Sequence, residues 1–173
     1  MTARIRTSVL GATLLVGSLG LTACAGAGRP GTVAEVNGTT ISAKALAKTT
    51  EQIRLIDPKV TESATLAWMI LTPFVNAKVA EKQAWLPDEE YNARLEQIPG
   101  ATDLTKGVLQ ANTSVAYLAA ADKEDILDQL AKASVQVDPR FGSFDPDRAA
   151  FVMKTPNWIV PPAAPTGPGA PAQ

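Results

Sequence analysis

The sequence predicts a mostly α-helical fold, in which about five helices are clasped by a small β element that pairs the N-terminal strand or hairpin with a C-terminal strand. A Val-Asn-Gly turn signal between short β-branched runs opens the domain at residues 32–41. Apolar residues then recur at helical spacing from residue 43 to residue 131, and Val135-Gln-Val137 returns to strand character. Because an isolated hairpin is only marginally stable in water, we expect residues 33–36 to pair with 135–137.

Residues 1–23 have the layout of a secretory signal. Arg4 and Arg6 form a positive start, and residues 8–21 are apolar or small. The apolar run is short and is interrupted by three glycines, whereas a permanent transmembrane helix needs about 20 apolar residues. We therefore interpret this stretch as a leader.

The end of the leader, Leu21-Thr22-Ala23-Cys24, resembles the lipobox of bacterial lipoproteins. The resemblance implies cleavage between Ala23 and Cys24 and a diacylglyceryl group, with palmitate-like acyl chains, on the Cys24 sulfur. Two acyl chains suffice for stable anchoring. Residues 24–31 would form a flexible tether reaching roughly 15 Å. The leader and the lipid together predict a protein that lies outside the cytoplasm, anchored by lipid at the cell membrane. The alternative is a signal peptide that merely contains a cysteine.

The first half of the domain predicts two helices after the hairpin. Ser42 is a good N-cap for a helix that begins at Ala43 and ends at Asp57-Pro58. Thr61 or Ser63 caps the next helix, which contains the most hydrophobic stretch, residues 64–75, and continues to about Trp85. Pro73 predicts a kink in this helix, or a restart with Thr72 as N-cap.

The second half predicts three more helices and a hairpin. One helix starts at Leu86-Pro87-Asp88-Glu89-Glu90 and ends at Pro99-Gly100. Thr102 caps the fourth, whose apolar stripe comprises Leu104, Val108, Ala111, Val115 and Leu118. The fifth begins near Asp122 and turns Ile126, Leu127, Leu130 and Ala131 inward.

The C-terminal part predicts a short hairpin followed by a tail. Residues 140–144 and 149–152 are expected to pair around Asp145-Pro146-Asp147, since proline suits the second position of a type I turn. The folded domain would then cover residues 32–153. Residues 154–173 contain six prolines and predict a disordered or polyproline tail.

Composition excludes several classes of active site. The 173-residue chain has no histidine, and its one cysteine is Cys24, which excludes Ser-His-Asp and Cys-His triads, histidine-ligated zinc and an intrachain disulfide. Without Arg4 and Arg6, 14 basic residues face 17 acidic ones, so no nucleic-acid binding is expected. No cofactor or metal is expected, and the acidic groups at 88–90 and 122–128 are interpreted as helix-start residues and a solvated helix face. We expect no enzyme.

Two segments carry a family resemblance. Thr-Val-Ala-Glu-Val-Asn-Gly-Thr-Thr-Ile-Ser at 32–42 resembles the opening of the SurA N-terminal domain family, the helical chaperone modules of SurA-type and PrsA-type foldases. Val-Gln-Val-Asp-Pro-Arg-Phe-Gly-Ser-Phe at 135–144 resembles a segment of short actinobacterial lipoproteins of this family, with Asp138 and Phe141 replacing Asn and Tyr. The resemblance implies a clasped helical module that holds unfolded exported proteins. The parvulin isomerase domain of larger relatives is not carried over, since this chain lacks the length and the histidines for it.

The sequence therefore favours a non-catalytic chaperone or holdase-like module for unfolded or partly folded exported proteins. The alternative is an envelope scaffold or accessory subunit that docks one specific envelope protein. The aromatic residues that would line a peptide-binding groove are Trp68, Phe74, Trp85 and Tyr91. Burial in the core is the competing interpretation, especially for Trp68 and Phe74.

We expect Cys24→Ser to leave the protein unlipidated, because a serine hydroxyl does not replace the sulfur that carries the lipid. The variant should move from the detergent phase to the aqueous phase when cell extracts are partitioned with a nonionic detergent. Unchanged partitioning would rule out an anchor at this residue.

Overall fold

The computed structural model describes residues 30–84 and 87–152. The predicted leader, the Ala23–Cys24 cleavage and lipid site, Trp85 and the proline-rich tail lie outside the described residues. Within the described part, no helix is both long enough and apolar enough to cross a bilayer.

The architecture confirms the predicted fold class: mostly helical, with a small antiparallel sheet built from both ends of the domain. Two 3₁₀ turns, Val115–Tyr117 and Pro139–Phe141, join the regular elements. The strands and helices, in chain order, are β1 (Thr32–Val36), β2 (Thr39–Ser42), α1 (Ala43–Ile53), α2 (Glu62–Lys82), α3 (Glu89–Glu96), α4 (Asp103–Ser114), α5 (Ala120–Lys132), β3 (Val135–Val137), β4 (Ser143–Asp145) and β5 (Ala150–Val152).

The central strand of the main sheet is β1, with β2 on one side and β3 on the other, both antiparallel. In the β1–β3 ladder Ala34 faces Val137 and Val36 faces Val135, which confirms the predicted pairing of the two ends. The hairpin residue Asn37 extends this ladder. Its N–H donates to the Ser134 carbonyl at 2.9 Å, and its side-chain Oδ1 accepts from the Ser134 N–H at 2.9 Å.

The hairpin turn between β1 and β2 fits its sequence. Asn37 and Gly38 both have positive φ, at 48° and 82°, which a type I′ turn requires at its two central residues and which Asn-Gly supplies with little strain. The turn is therefore set by local chemistry, and it leaves the Asn37 side chain in position to bind Ser134.

Two clusters of buried apolar residues form the core. The first joins β1 to α1, α2 and α5 through Val33, Leu46, Ile70 and Leu130. The second joins the C-terminal half of α2 to the end of α4 and to α5. Helix α2 contributes to both clusters, and the residues that bridge them are Trp68, Leu71 and Phe74.

Helix α2 runs without interruption through Pro73, so the predicted restart with Thr72 as N-cap is wrong. The Thr72 hydroxyl donates to the Trp68 carbonyl at 2.7 Å instead of capping a new helix. Pro73 lies on the exposed side of α2, and the buried apolar contacts on the rest of the helix offset the cost of the missing N–H. The helix begins after Thr61, as predicted, and ends at Lys82, where Gln83 adopts a left-handed φ of 50°.

The predicted caps Ser42 and Thr102 are present, and each side chain accepts a hydrogen bond from an N–H group in the first turn of α1 or α4. The helix start predicted at residues 86–90 is also found, but Asp88 is the N-cap of α3, so Pro87 precedes the helix and does not lie in its first turn. Two predictions of inward-facing residues are wrong, because Leu104 is 38% exposed and Ala131 is also exposed. Helix α4 ends at Ser114, so the predicted stripe does not continue as one helical face to Leu118, which is nonetheless buried.

The predicted C-terminal hairpin forms, but its turn lies at residues 146–149 and not at 145–147, because Asp145 belongs to β4, and its first strand is shorter than predicted. Asp138 accepts from the Arg140 N–H at 3.0 Å and starts a 3₁₀ turn over Pro139–Phe141, so only residues 143–145 pair with β5. Phe141 is buried in this turn, and the Arg140 guanidinium stacks 4.7 Å from its ring centre.

A buried polar network fixes α1 against the start of α4. The Gln52 side chain is 3% exposed, and its Nε2 donates to the Gly100 carbonyl at 2.9 Å. Its Oε1 accepts from the Thr105 hydroxyl at 2.6 Å and from the Thr102 N–H at 3.2 Å. Because a buried amide is costly when left unpaired, these bonds select one arrangement of the two helices.

The β1–β3 ladder gives a test of the fold. The Asp138 N–H donates to the Val33 carbonyl, and the Asn37 N–H donates to the Ser134 carbonyl. The Glu35–Gln136 pair lies between these two bonds. Because hydrogen-bonded pairs alternate along an antiparallel ladder, the Gln136 N–H points toward Glu35. We expect Gln136→Pro, which removes this donor, to lower the free energy of unfolding by about 2 kcal/mol or more.

The matched control is Gln136→Ala, since the Gln136 side chain is exposed. It should stay within about 0.5 kcal/mol of the parent chain. Urea unfolding followed by circular dichroism measures both, and equal effects of the two substitutions would contradict the importance of the ladder.

Candidate functional site

A groove with a volume of about 450 Å³ lies between the first half of α2 and the β4–β5 hairpin. Its helix wall is formed by Ala64, Ala67, Trp68 and Leu71. These positions recur at intervals of three and four residues, which places their side chains on one face of the helix. The two alanines leave space that larger side chains would fill, while Trp68 and Leu71 supply apolar surface.

The opposite wall comes from the C-terminal hairpin and includes Ala150 and Phe151. Two neighbouring rings position Phe151: Phe144 meets it edge-on at 5.3 Å between ring centres, and Phe141 lies 6.0 Å away. Edge-to-face arrangements of this kind favour aromatic rings beyond the burial of their area. The polar side chains that line the groove are Ser63 and Arg148.

The structure brings one of the predicted peptide-binding aromatics into this groove. Trp68 is half-buried, packs against both core clusters and also lines the groove. The two competing interpretations of Trp68, core residue and groove residue, therefore both apply, because an indole is large enough to serve both sides of a helix–sheet boundary.

The other predicted aromatics lie elsewhere. Phe74 is half-buried and packs against both core clusters without lining the groove. Tyr91 is half-buried on α3, a helix that packs against α4. Trp85 lies outside the described residues. The predicted set of four thus does not converge on one described surface.

Sequence reasoning missed most of the groove residues. The Ala-x-x-Ala-Trp-x-x-Leu spacing at 64–71 is a visible signal of a helix face with room beside a tryptophan. The hairpin wall had no comparable signal, since it depends on which helix the hairpin packs against about 80 residues away along the chain.

A second cavity, of about 310 Å³, lies beside the strand clasp. It is bounded by the end of α5, by β3 and by β4, and its apolar lining includes Leu130, Val135, Val137 and Phe144. None of the four predicted peptide-binding aromatics lines it.

Charged side chains link α2 to α5 on another side of the domain. Lys78 is buried, with 7% of the residue exposed, and its ammonium contacts Asp125 at 2.6 Å and Glu81 at 2.7 Å. Lys82 pairs with Asp122 at 2.9 Å. The hydrogen bonds that Lys78 donates to Asp125 and then to Glu81 raise the pKa of Lys78, and the bond from Lys78 lowers the pKa of Asp125.

These contacts change the interpretation of the acidic residues on α5. Asp122 and Asp125 are partners of lysines on α2, whereas the sequence predicted a simply solvated face. In the described part of the chain, no group of three or more Cys, Asp or Glu side chains is placed to hold a metal ion.

A second electrostatic contact joins α3 to the turn after α4. The Asp88 carboxylate accepts from the Tyr91 N–H at 2.8 Å, as the N-cap of α3, and from the Tyr117 hydroxyl. The Tyr117 hydrogen bond, followed by the Tyr91 amide, lowers the pKa of Asp88, and the same carboxylate raises the pKa of Tyr117.

The groove presents mainly small and apolar side chains. Its lining is small, aliphatic or aromatic, with one guanidinium and one hydroxyl. Apolar side chains of an extended peptide gain free energy by leaving water in such a place. Comparisons of the chain with protein-family models, with curated proteins and with solved structures find no match.

Two variants test whether the pKa values of Asp88 and Asp125 are set by their separate hydrogen-bond partners. Tyr117→Phe removes a donor, so we expect the pKa of Asp88 to rise toward its ordinary value while that of Asp125 stays unchanged. Lys78→Met should do the reverse. Titration of the carboxyl carbons by NMR measures both, and equal movement of the two groups in either variant would contradict the assignment.

The pH dependence of stability follows from the same directions. The pKa values of Asp88 and Asp125 are lower in the folded chain than in the unfolded chain. Their contribution is therefore present above the unfolded value of about 3.9 and is lost as the pH falls through the folded values. In each variant the free energy of unfolding should therefore fall less steeply as the pH is lowered below about 4. An unchanged slope in this pH range would contradict the role of these carboxylates.

Proposed function

We propose that the protein is a lipid-anchored extracytoplasmic module that holds unfolded or partly folded exported proteins without chemistry. The observation that carries this proposal is the open groove between α2 and the β4–β5 hairpin, walled by Trp68, Leu71 and Phe151. An extended client would place apolar side chains in the groove, in the manner of a chaperone or holdase.

The size of the groove supports weak and reversible binding. Fully burying one Leu- or Phe-sized side chain contributes about 1.5–3 kcal/mol, and the groove has room for only a few. After the entropic cost of association, affinities in the micromolar to millimolar range are expected. A holdase uses such affinities, because it must release its clients without an energy source.

The hairpin wall offers backbone contacts as well. Among the described residues β5 pairs only with β4, so its other edge is without a strand partner. An extended peptide can add to such an edge through main-chain hydrogen bonds, which are independent of the client sequence. Low sequence selectivity is what a general holdase needs.

The kinship with the SurA N-terminal domain family is part of the same proposal. Its support is that the two resembling segments, 32–42 and 135–144, contain the strands β1, β2 and β3 that pair into one sheet. The lipobox at Cys24 and the glycine-rich tether support placement close to the membrane surface, where exported chains emerge.

The alternative is an accessory subunit that docks one specific envelope protein. It is favoured by the closed packing of the helices around both core clusters and by the modest volume of the groove. In that case Arg148 would bind a carboxylate of the partner and fix its direction, since a guanidinium recognises a carboxylate with defined geometry.

An aggregation assay separates the two functions. The parent chain should slow the aggregation of a chemically denatured client at near-stoichiometric ratios. The double substitution Ala64→Gln with Ala67→Gln fills the groove with polar side chains and should abolish most of this protection. Its matched control is Ala77→Gln with Ala80→Gln, two exposed positions with the same spacing on the same helix, which should protect like the parent.

Thermal unfolding of both double variants checks that the fold is retained. Absence of protection by the parent chain, combined with capture of a single envelope protein, would replace the holdase proposal with the accessory-subunit one. Equal loss of protection in the two double variants would separate the activity from the groove.

A further inference from the structure

We propose that residues 157–160 of the same chain, Asn157-Trp158-Ile159-Val160, occupy the groove between α2 and the β4–β5 hairpin when no client is bound. This inference rests on the proposed function, because it describes how access to the client groove is regulated. Three observations carry it: the path of the chain, its reach and the chemistry of the segment.

The chain leaves the described part of the structure at the groove. Ala150 and Phe151 form its hairpin wall, and Val152, which is 39% exposed, is the last residue of β5. The segment that follows therefore begins next to the site it is proposed to fill.

The segment is long enough to reach every part of the helix wall. Six bonds between consecutive residues join Val152 to Trp158, and an extended chain covers about 3.5 Å per residue, or about 20 Å in all. The helix wall from Ala64 to Leu71 spans about 10 Å at 1.5 Å per residue. The connection can therefore turn back and still place Trp158 beside Trp68.

The chemistry of the segment matches the groove. Trp158-Ile159-Val160 is the one run of large apolar residues after Met153, and the rest of the tail is Lys154, Asn157 and residues of the types Pro, Ala, Gly, Thr and Gln. Pro156 precedes the run and Pro161-Pro162 follow it. Pro161 disfavours the helical conformation for Val160, the residue before it, and proline-rich extended peptides bind grooves that contain aromatic side chains.

The covalent link gives this segment an advantage over clients. A short flexible connection corresponds to an effective concentration on the order of 1 mM. If the free segment binds with a dissociation constant near 0.1 mM, the groove is occupied about nine-tenths of the time and the apparent affinity for a competing peptide falls roughly 10-fold. Clients with several apolar stretches would still displace it.

Cysteine pairs in the full chain test where the segment lies. Cys24→Ser removes the native thiol, and Ala67→Cys with Ile159→Cys then places one thiol in the groove wall and one in the segment. The control pair is Ala80→Cys with Ile159→Cys, because Ala80 is exposed on the same helix about 20 Å farther along.

Under mild oxidation we expect the groove pair to form an intramolecular disulfide at least 10 times faster than the control pair. Non-reducing gels and mass spectrometry of the digested protein measure this difference. Equal rates for the two pairs, or cross-linked dimers in place of an intramolecular bond, would overturn the proposal. Dimers would instead identify a second copy of the chain as the occupant.

A binding measurement then tests the competition. The probe is a fluorescein-labelled peptide of residues 154–162, and the variant is the full chain with Trp158→Ser and Ile159→Ser. Since the native segment no longer competes, this variant should bind the peptide about 10-fold more tightly than the parent. Unchanged affinity would overturn the proposal.

The outcomes for the two proposals differ. Selective cross-linking without any protection of clients, even in the Trp158→Ser, Ile159→Ser variant, would support the tail-filled groove and defeat the holdase function. Protection of clients by the parent chain without selective cross-linking would support the holdase and defeat the tail-filled groove.

Discussion

The antiparallel pairing of β1 with β3 is the constraint on which the rest of the structure depends. It joins two ends of the domain that are about 100 residues apart in the sequence. Because β1 is the central strand, both β2 and β3 pair with it and neither pairs with the other. The buried faces of Val33 and Val36 then complete a core to which α1, α2 and α5 contribute. Asn37 reinforces the junction by bonding Ser134 through both its backbone and its side chain.

Helix α2 transmits this constraint to the candidate binding site. One side of the helix packs into both core clusters, another pairs Lys78 with the Asp125 carboxylate of α5, and a third presents Ala64, Ala67 and Trp68 to the β4–β5 hairpin. The helix is held by core packing on one side and by the Lys78–Asp125 ion pair on another, while the hairpin that faces the groove contributes two short strands. Peptide binding at this boundary would therefore depend on a firm helix wall and on aromatic rings stacked behind the hairpin wall.

Local chemistry made much of the fold predictable. The Asn37-Gly38 turn and the caps at Ser42, Thr61 and Thr102 depend on neighbours within a few residues, so they could be located from the sequence. The pairing of the two ends was predictable because short strands need partners. The outward direction of Leu104 and Ala131, the 3₁₀ turn at Pro139 and the buried bonds of Gln52 depend on the packing of distant elements. For the same reason Trp68 was identified as a candidate, but the hairpin opposite it was not.

The order of the strands along the chain has a consequence for how the protein acquires its structure during synthesis. Its innermost strand is made first, and the strand that closes the sheet appears only after all five helices. The β1–β3 pairing thus joins segments far apart in the sequence, and such a pairing forms slowly because the distant segments must meet before their contacts are rewarded. A nascent chain of this kind cannot complete its sheet until nearly the whole domain has been made, so β1 has only its hairpin partner β2 until then.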